Sequence, residues 1–113
     1  MKTRILYYTS PSGKNPVKKF IDSLSDKQQT KILRILKYLK EYGLSVPLPH
    51  IKKLTGTPLW EIRILGKHNL RILYVIPQKH TLLTLHGFIK KTQKTPKKEL
   101  TIALSHYQIW LDR

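Results

Sequence analysis

Glu61, Arg63, Arg71, Lys90 and Lys91 are the side chains with which this sequence could do chemistry. All fall between Leu59 and Lys91, a stretch that reads as three short strands joined by two tight turns. In LWEIRIL the period of two puts Trp60, Ile62 and Ile64 on one face and Glu61 and Arg63 on the other. Arg71 interrupts the otherwise apolar run from Leu70 to Ile76. On adjacent antiparallel strands Arg63 and Arg71 come within reach of one another, and two guanidinium groups repel unless they share an anion. Phosphate suits them, because the planar fork of arginine binds phosphate oxygens in pairs and keeps its charge near neutral pH. RNA cleavage needs a base for the 2′-hydroxyl proton, cations for the charge that grows on phosphorus, and an acid for the departing 5′-oxygen. Glu61 is a plausible base, although neighbouring cations lower its pKa; Lys90, crowded by cations, is another, and the residue types do not choose between them. A salt bridge between Glu61 and Arg63 is the plain structural alternative.

Around these, Lys52, Lys53, Lys67, His86, Phe88 and Lys94 make up the expected RNA-binding set. His86 shares parity with Phe88 and Lys90 on the third strand of the stretch, which would line the polar face; a hydrogen-bonded structural histidine is the competing reading. Phe88 is the better candidate for stacking on a base, whereas Trp60 and Tyr74 share parity with apolar neighbours and belong in the core. The other histidines are scattered, no pair has metal-ligand spacing with acidic companions, and no metal or cofactor is expected.

The elements that position these residues are legible from turn and cap signals. Arg4 to Tyr8 is the first strand, followed by a turn cluster at Ser10 to Gly13. Asn15 before Pro16 caps a short helix, and Ser25 with Gln28 forms a capping box for a second helix whose stripe is Ile32, Ile35, Leu36, Leu39 and Tyr42, closed by Gly43. Leu44 to Pro58 reads as a connector with one brief extended piece. Pro77 is expected to end the second strand of the meander. Thr95 and Pro96 repeat the cap-plus-proline signal ahead of a C-terminal helix with the stripe Leu100, Ala103, Leu104, Tyr107 and Leu111. The sum is an α+β domain over residues 1–113, with an N-terminal strand, two helices packed on one sheet face, an antiparallel three-strand meander and a last helix, the other face being left for function.

Composition narrows the partners. Lys and Arg number 22 against 6 Asp and Glu, a formal net charge of +16 that self-repels in a compact fold and calls for an acidic partner. No cysteine is present, which excludes disulfides and thiolate metal sites. No apolar run approaches the length of a membrane span and no signal sequence is evident, so a cytoplasmic location is expected.

Taken together, Leu59-Trp60-Glu61-Ile62-Arg63, Arg71-Ile72-Leu73-Tyr74 and Leu85 to Pro96, with FIKKTQKTP at its end, resemble the HigB-like, phage-related branch of the RelE/ParE toxin superfamily. The resemblance covers nearly the whole chain and implies a compact RelE-like domain. It also implies the toxin of a type II toxin-antitoxin system: a ribosome-dependent, metal-independent endonuclease that cuts messenger RNA in the A site. The implied partner is a cognate antitoxin, a HigA-like helix-turn-helix protein, with DNA touched only through that complex and no membrane. Carried onto this chain, Arg63 and Arg71 match the phosphate-binding positions and Lys90 or Lys91 the basic residue after the last strand. Some members have lysine where Glu61 stands, and no tyrosine follows closely after Lys90, so base and acid stay unassigned; Tyr107 is a distant candidate. Replacing Arg63 and Arg71 by alanine is expected to abolish growth arrest and leave the fold intact. A ParE-like gyrase inhibitor and a non-catalytic RNA-binding or ribosome-binding module are the alternatives.

Overall fold

The computed structural model describes every residue except Met1, Pro47, Lys67, His68, Thr92 and Gln93. Five strands, β1 (Arg4–Tyr7), β2 (Ile51–Lys53), β3 (Trp60–Ile64), β4 (Asn69–Gln78) and β5 (Thr81–Lys90), form one mixed sheet in the order β1-β5-β4-β3-β2. The expected meander is its centre, β3, β4 and β5, all antiparallel. The brief extended piece in the connector joins it as the edge strand β2, and β1 pairs in parallel with β5.

The helices are α1 (Pro16–Asp22), α2 (Asp26–Tyr42) and α3 (Lys97–Leu111). The first two start as their side chains dictate. Asn15 accepts a hydrogen bond from the Lys18 amide with Pro16 in the first turn, and Ser25 and Gln28 close a reciprocal capping box. Gly43 ends α2 at φ 95, a conformation that favours glycine, and its amide donates to Leu39. Tyr42, placed on the apolar stripe by its spacing, is instead exposed and tilts against Tyr38.

Alternation then sorts the sheet into two cores. Ile62, Ile64, Leu70, Ile72, Tyr74 and Leu82 face α1 and α2 with Val17, Ile21, Ile32, Ile35, Leu36 and Leu39. Leu59, Leu73, Val75, Leu83, Leu85 and Phe88 face the other way and pack with Tyr8 and Ala103. That second cluster corrects the expectation of an open working face: it is apolar along much of its length, and α3 covers it. The stripe of α3 is also turned from its expected position. Leu100, Ala103, Tyr107 and Trp110 pack inward, while Leu104 and Leu111 are exposed.

Two irregularities shape the central strands. Leu73 pairs with His86 but Tyr74 pairs with Thr84, so Leu85 is an extra residue on β5. Val75 pairs with Leu83 and Gln78 with Thr81, which leaves Ile76 and Pro77 opposite Leu82. Pro77 therefore does not end β4. It sits in a bulge, where its missing amide costs no ladder hydrogen bond, and the strand runs on to Gln78. Among the described residues no helix is long and apolar enough to cross a membrane.

Candidate active site

The open part of the second face lies at the β2 and β3 edge, where only the start of α3 borders it. There the register places side chains in rows. Arg63 stands directly opposite Arg71, Glu61 is opposite Lys52 on one side and Leu73 on the other, and Asn69 is opposite Lys90 at the end of β5. Because directly paired residues share a face, Lys52, Glu61, Arg63, Arg71 and Lys90 all fall on the α3 side of the sheet. All but Arg71 line a cleft of about 600 Å³, together with Lys94 and Thr95 and with Leu54 and Leu100 among its apolar walls.

Glu61 is 1% exposed and Arg71 3%, so Glu61 forms the floor of the cleft and Arg71 is buried beside it. Arg71 Nε lies 3.4 Å from Glu61 Oε1, an ion-pair distance without hydrogen-bond alignment, and Arg71 Nη1 donates to the Leu70 carbonyl at 2.9 Å. The other carboxylate oxygen, Oε2, accepts from the Thr95 hydroxyl at 2.7 Å. The alternative salt bridge, from Glu61 to Arg63, is made instead to Arg71, one strand further into the sheet. Among the described residues Glu61 is the one carboxylate lining the cleft, and both its oxygens are engaged.

Burial lowers the Arg71 pKa, Glu61 opposes the shift and Arg63 adds to it; the group stays charged near neutral pH. The Lys90 ammonium is also held below the usual lysine range. Loss of solvent is the main cause, Glu61 acts against it, and Arg71, Arg63 and Lys52 reinforce it.

The remaining expected residues divide. Lys94 lines the cleft, whereas Lys91 is exposed just past the end of β5 and is not among its lining residues. Lys53 has the opposite parity to Lys52. It pairs with Trp60, holds its ammonium 5.7 Å from the indole centroid and donates to the Thr57 carbonyl, and it does not line the cleft. Lys67 lies outside the described residues. Phe88 is 6% exposed in the second core, so its ring serves packing and offers no open face for a base. His86 sits under α3, stacked on Phe88, with Nε2 2.9 Å from Glu99 Oε1. Nearby His106 shares its Nδ1 with the Leu85 carbonyl at 2.8 Å and stacks on Tyr8. These contacts fasten α3 to the sheet behind the cleft.

Two residues escaped the reading of the sequence. The cap signal at Thr95 is not used by the helix: α3 begins after Pro96 with no side-chain cap, and the threonine hydroxyl donates to Glu61. Glu99, in the first turn of α3, partners His86, and no local spacing announces a contact between elements. No cluster of three or more His, Asp or Glu side chains able to hold a metal occurs among the described residues.

Residues 19–108 match the model of a family described as Phage derived protein Gp49-like (DUF891). No curated protein matches the chain.

Proposed function

Because the chain belongs to the Gp49-like family of phage-derived proteins, a family of RelE-like, toxin-like proteins associated with toxin-antitoxin modules that implies an antitoxin partner, we propose that it is the toxin of a HigB-like type II module and an endonuclease for messenger RNA on the ribosome. One observation carries this reading: Arg63 faces Arg71 beside a cleft rimmed by Lys52 and Lys90, whose only lining carboxylate among the described residues is already engaged. Among the described residues the cations that line the cleft outnumber its one carboxylate, and a phosphate would balance the excess charge.

The same contacts divide the roles. Glu61 is 1% exposed and its charge is matched to Arg71, which protonation would leave unpaired, so in this reading it serves as the anchor that orients Arg71. Lys90, whose pKa is lowered and which stands at the rim, is the proton acceptor. In the proposed step Lys90 takes the proton of a 2′-hydroxyl as the 2′-oxygen attacks the adjacent phosphorus. The bond from phosphorus to the 5′-oxygen breaks, leaving a 2′,3′-cyclic phosphate and a 5′-hydroxyl protonated from solvent in the open cleft. Arg63 stabilises the charge on the phosphoryl oxygens, and Arg71 adds its positive field from the buried layer beside the cleft. The antitoxin would be a HigA-like helix-turn-helix protein, DNA would be reached only through that complex, and the site of action would be the cytoplasmic ribosome.

Pulsed expression followed by primer extension on translated messages tests this. Growth arrest with discrete cuts in the coding region, both abolished by Arg63→Ala, is the expected result. Arrest with intact messages and lost DNA supercoiling would instead identify a gyrase inhibitor, and ribosome binding without either effect a non-catalytic module.

A further inference from the structure

A second recess lies on the other side of β3 from the cleft. Its walls are α2 and the segment ahead of β2, its volume is about 480 Å³, and Ile35, Tyr38, Leu48, Ile64 and Leu65 line it. It shares Lys31, Ile64 and Leu65 with an adjoining hollow that reaches Ser25, so the two form one furrow. From Ser25 to Tyr38 that furrow follows α2 for about 20 Å, roughly four helical turns. Leu65 is 61% exposed and Tyr38 41%, an apolar surface that water would favour covering.

Charge at the rim has one sign. Lys27, Lys31 and Arg34 project from α2 along the furrow, His50 stands at its far end, and no aspartate or glutamate lines either hollow among the described residues. A second copy of the chain would bring cations against cations on a protein of formal net charge +16, which disfavours self-association. RNA would find little to stack on, since among the described residues Tyr38 and His50 are the only rings in the lining.

We propose that this furrow docks an acidic amphipathic helix from a partner protein. Aliphatic or aromatic side chains one helical turn apart enter between α2 and Leu65, and carboxylates on the flanks of that helix pair with Lys27, Lys31 and Arg34. The furrow and the RNA cleft lie on opposite faces of the sheet, so this docking stands apart from the nuclease reading and can fail or hold without it.

Titration of the isotope-labelled full chain by NMR tests the docking. The probe is a synthetic helical peptide with leucines at i, i+3, i+4 and i+7 and glutamates on both flanks. Saturable shifts at Ile35, Tyr38 and Leu65, with affinity reduced about tenfold by Leu65→Ser and by Arg34→Glu, are expected. Both positions are exposed, so thermal melts of the variants should match the parent; Leu65→Ala replaces the serine variant if its melt does not. Absence of binding, or equal binding to Leu65→Ser, would overturn the proposal. So would equal binding of a peptide that keeps its glutamates but has serine for leucine, since that is charge attraction alone. A single-stranded oligoribonucleotide that shifts the furrow residues in place of the peptide would overturn it in favour of an RNA site.

Discussion

Glu61 and Arg71 meet across β3 and β4 with almost no access to solvent, the carboxylate oxygen 3.4 Å from the guanidinium Nε. Removing one partner strands the other charge in the interior. Arg71→Ala should therefore lower stability by about 3–5 kcal/mol as well as activity, contrary to the expectation of an intact fold. Urea denaturation measures this, and the double variant Glu61→Leu with Arg71→Met should recover most of the loss because no charge is left buried. Arg63, only partly buried, is the cleaner functional probe.

Thr95 ties the segment before α3 to the floor of the cleft through one hydrogen bond to an ionised group. Thr95→Val keeps the shape and removes the donor. Stability should fall by about 1–2 kcal/mol, and hydrogen exchange should show the first turn of α3 less protected than in the parent, with its last turns unchanged.

Lys90 is titrated in a direction that can be followed. Its folded pKa lies below the ordinary 10.5, so the charged form is disfavoured in the fold and its penalty is relieved as pH rises from the folded value towards the unfolded one. The neutral amine available as a base grows through the same window. Cleavage in a purified translation system should rise with pH through the folded pKa. Lys90→Arg keeps a cation but cannot act as a base, and should cut about 10²–10⁴-fold more slowly with that pH limb absent, while RNA binding persists. An unchanged pH profile in Lys90→Arg would remove Lys90 from the role.

Gly87 lies on β5 against α1. A Cβ there would overlap Phe20 Cδ2 and stand 2.9 Å from Cε2 and Cγ, so the ring must move. Gly87→Ala should destabilise by about 1–3 kcal/mol, read as a lower melting temperature, with the pH dependence of cleavage unaltered because the change is on the sheet face away from the cleft.

The α+β architecture, the caps of α1 and α2 and the pairing of Arg63 with Arg71 were legible because each depends on periodicity or on side-chain chemistry a few residues away. What escaped depends on neighbours distant in sequence. Thr95 looks like a helix cap until Glu61, 34 positions earlier, takes its hydroxyl. Phe88 has the parity of an exposed residue, yet α3 folds over it, since Leu73, Leu83 and Leu85 make that face apolar. Pro77 carries the signal of a strand end, and only the register with Leu82 shows a bulge in its place.

The parallel pairing of β1 with β5 also sets a clock. Thr84 Oγ1 donates to the Leu6 carbonyl across 78 positions, and the cleft needs Lys90 and Thr95 beside residues of β3 and β4. Contacts so distant in sequence form late and cost loop entropy before they return any stability. A chain still under synthesis, with β5 not yet made, has neither its sheet edge nor its cationic cleft. On the proposed reading it is harmless to the ribosome that is building it, and competence arrives only once the segment through Thr95 has been made.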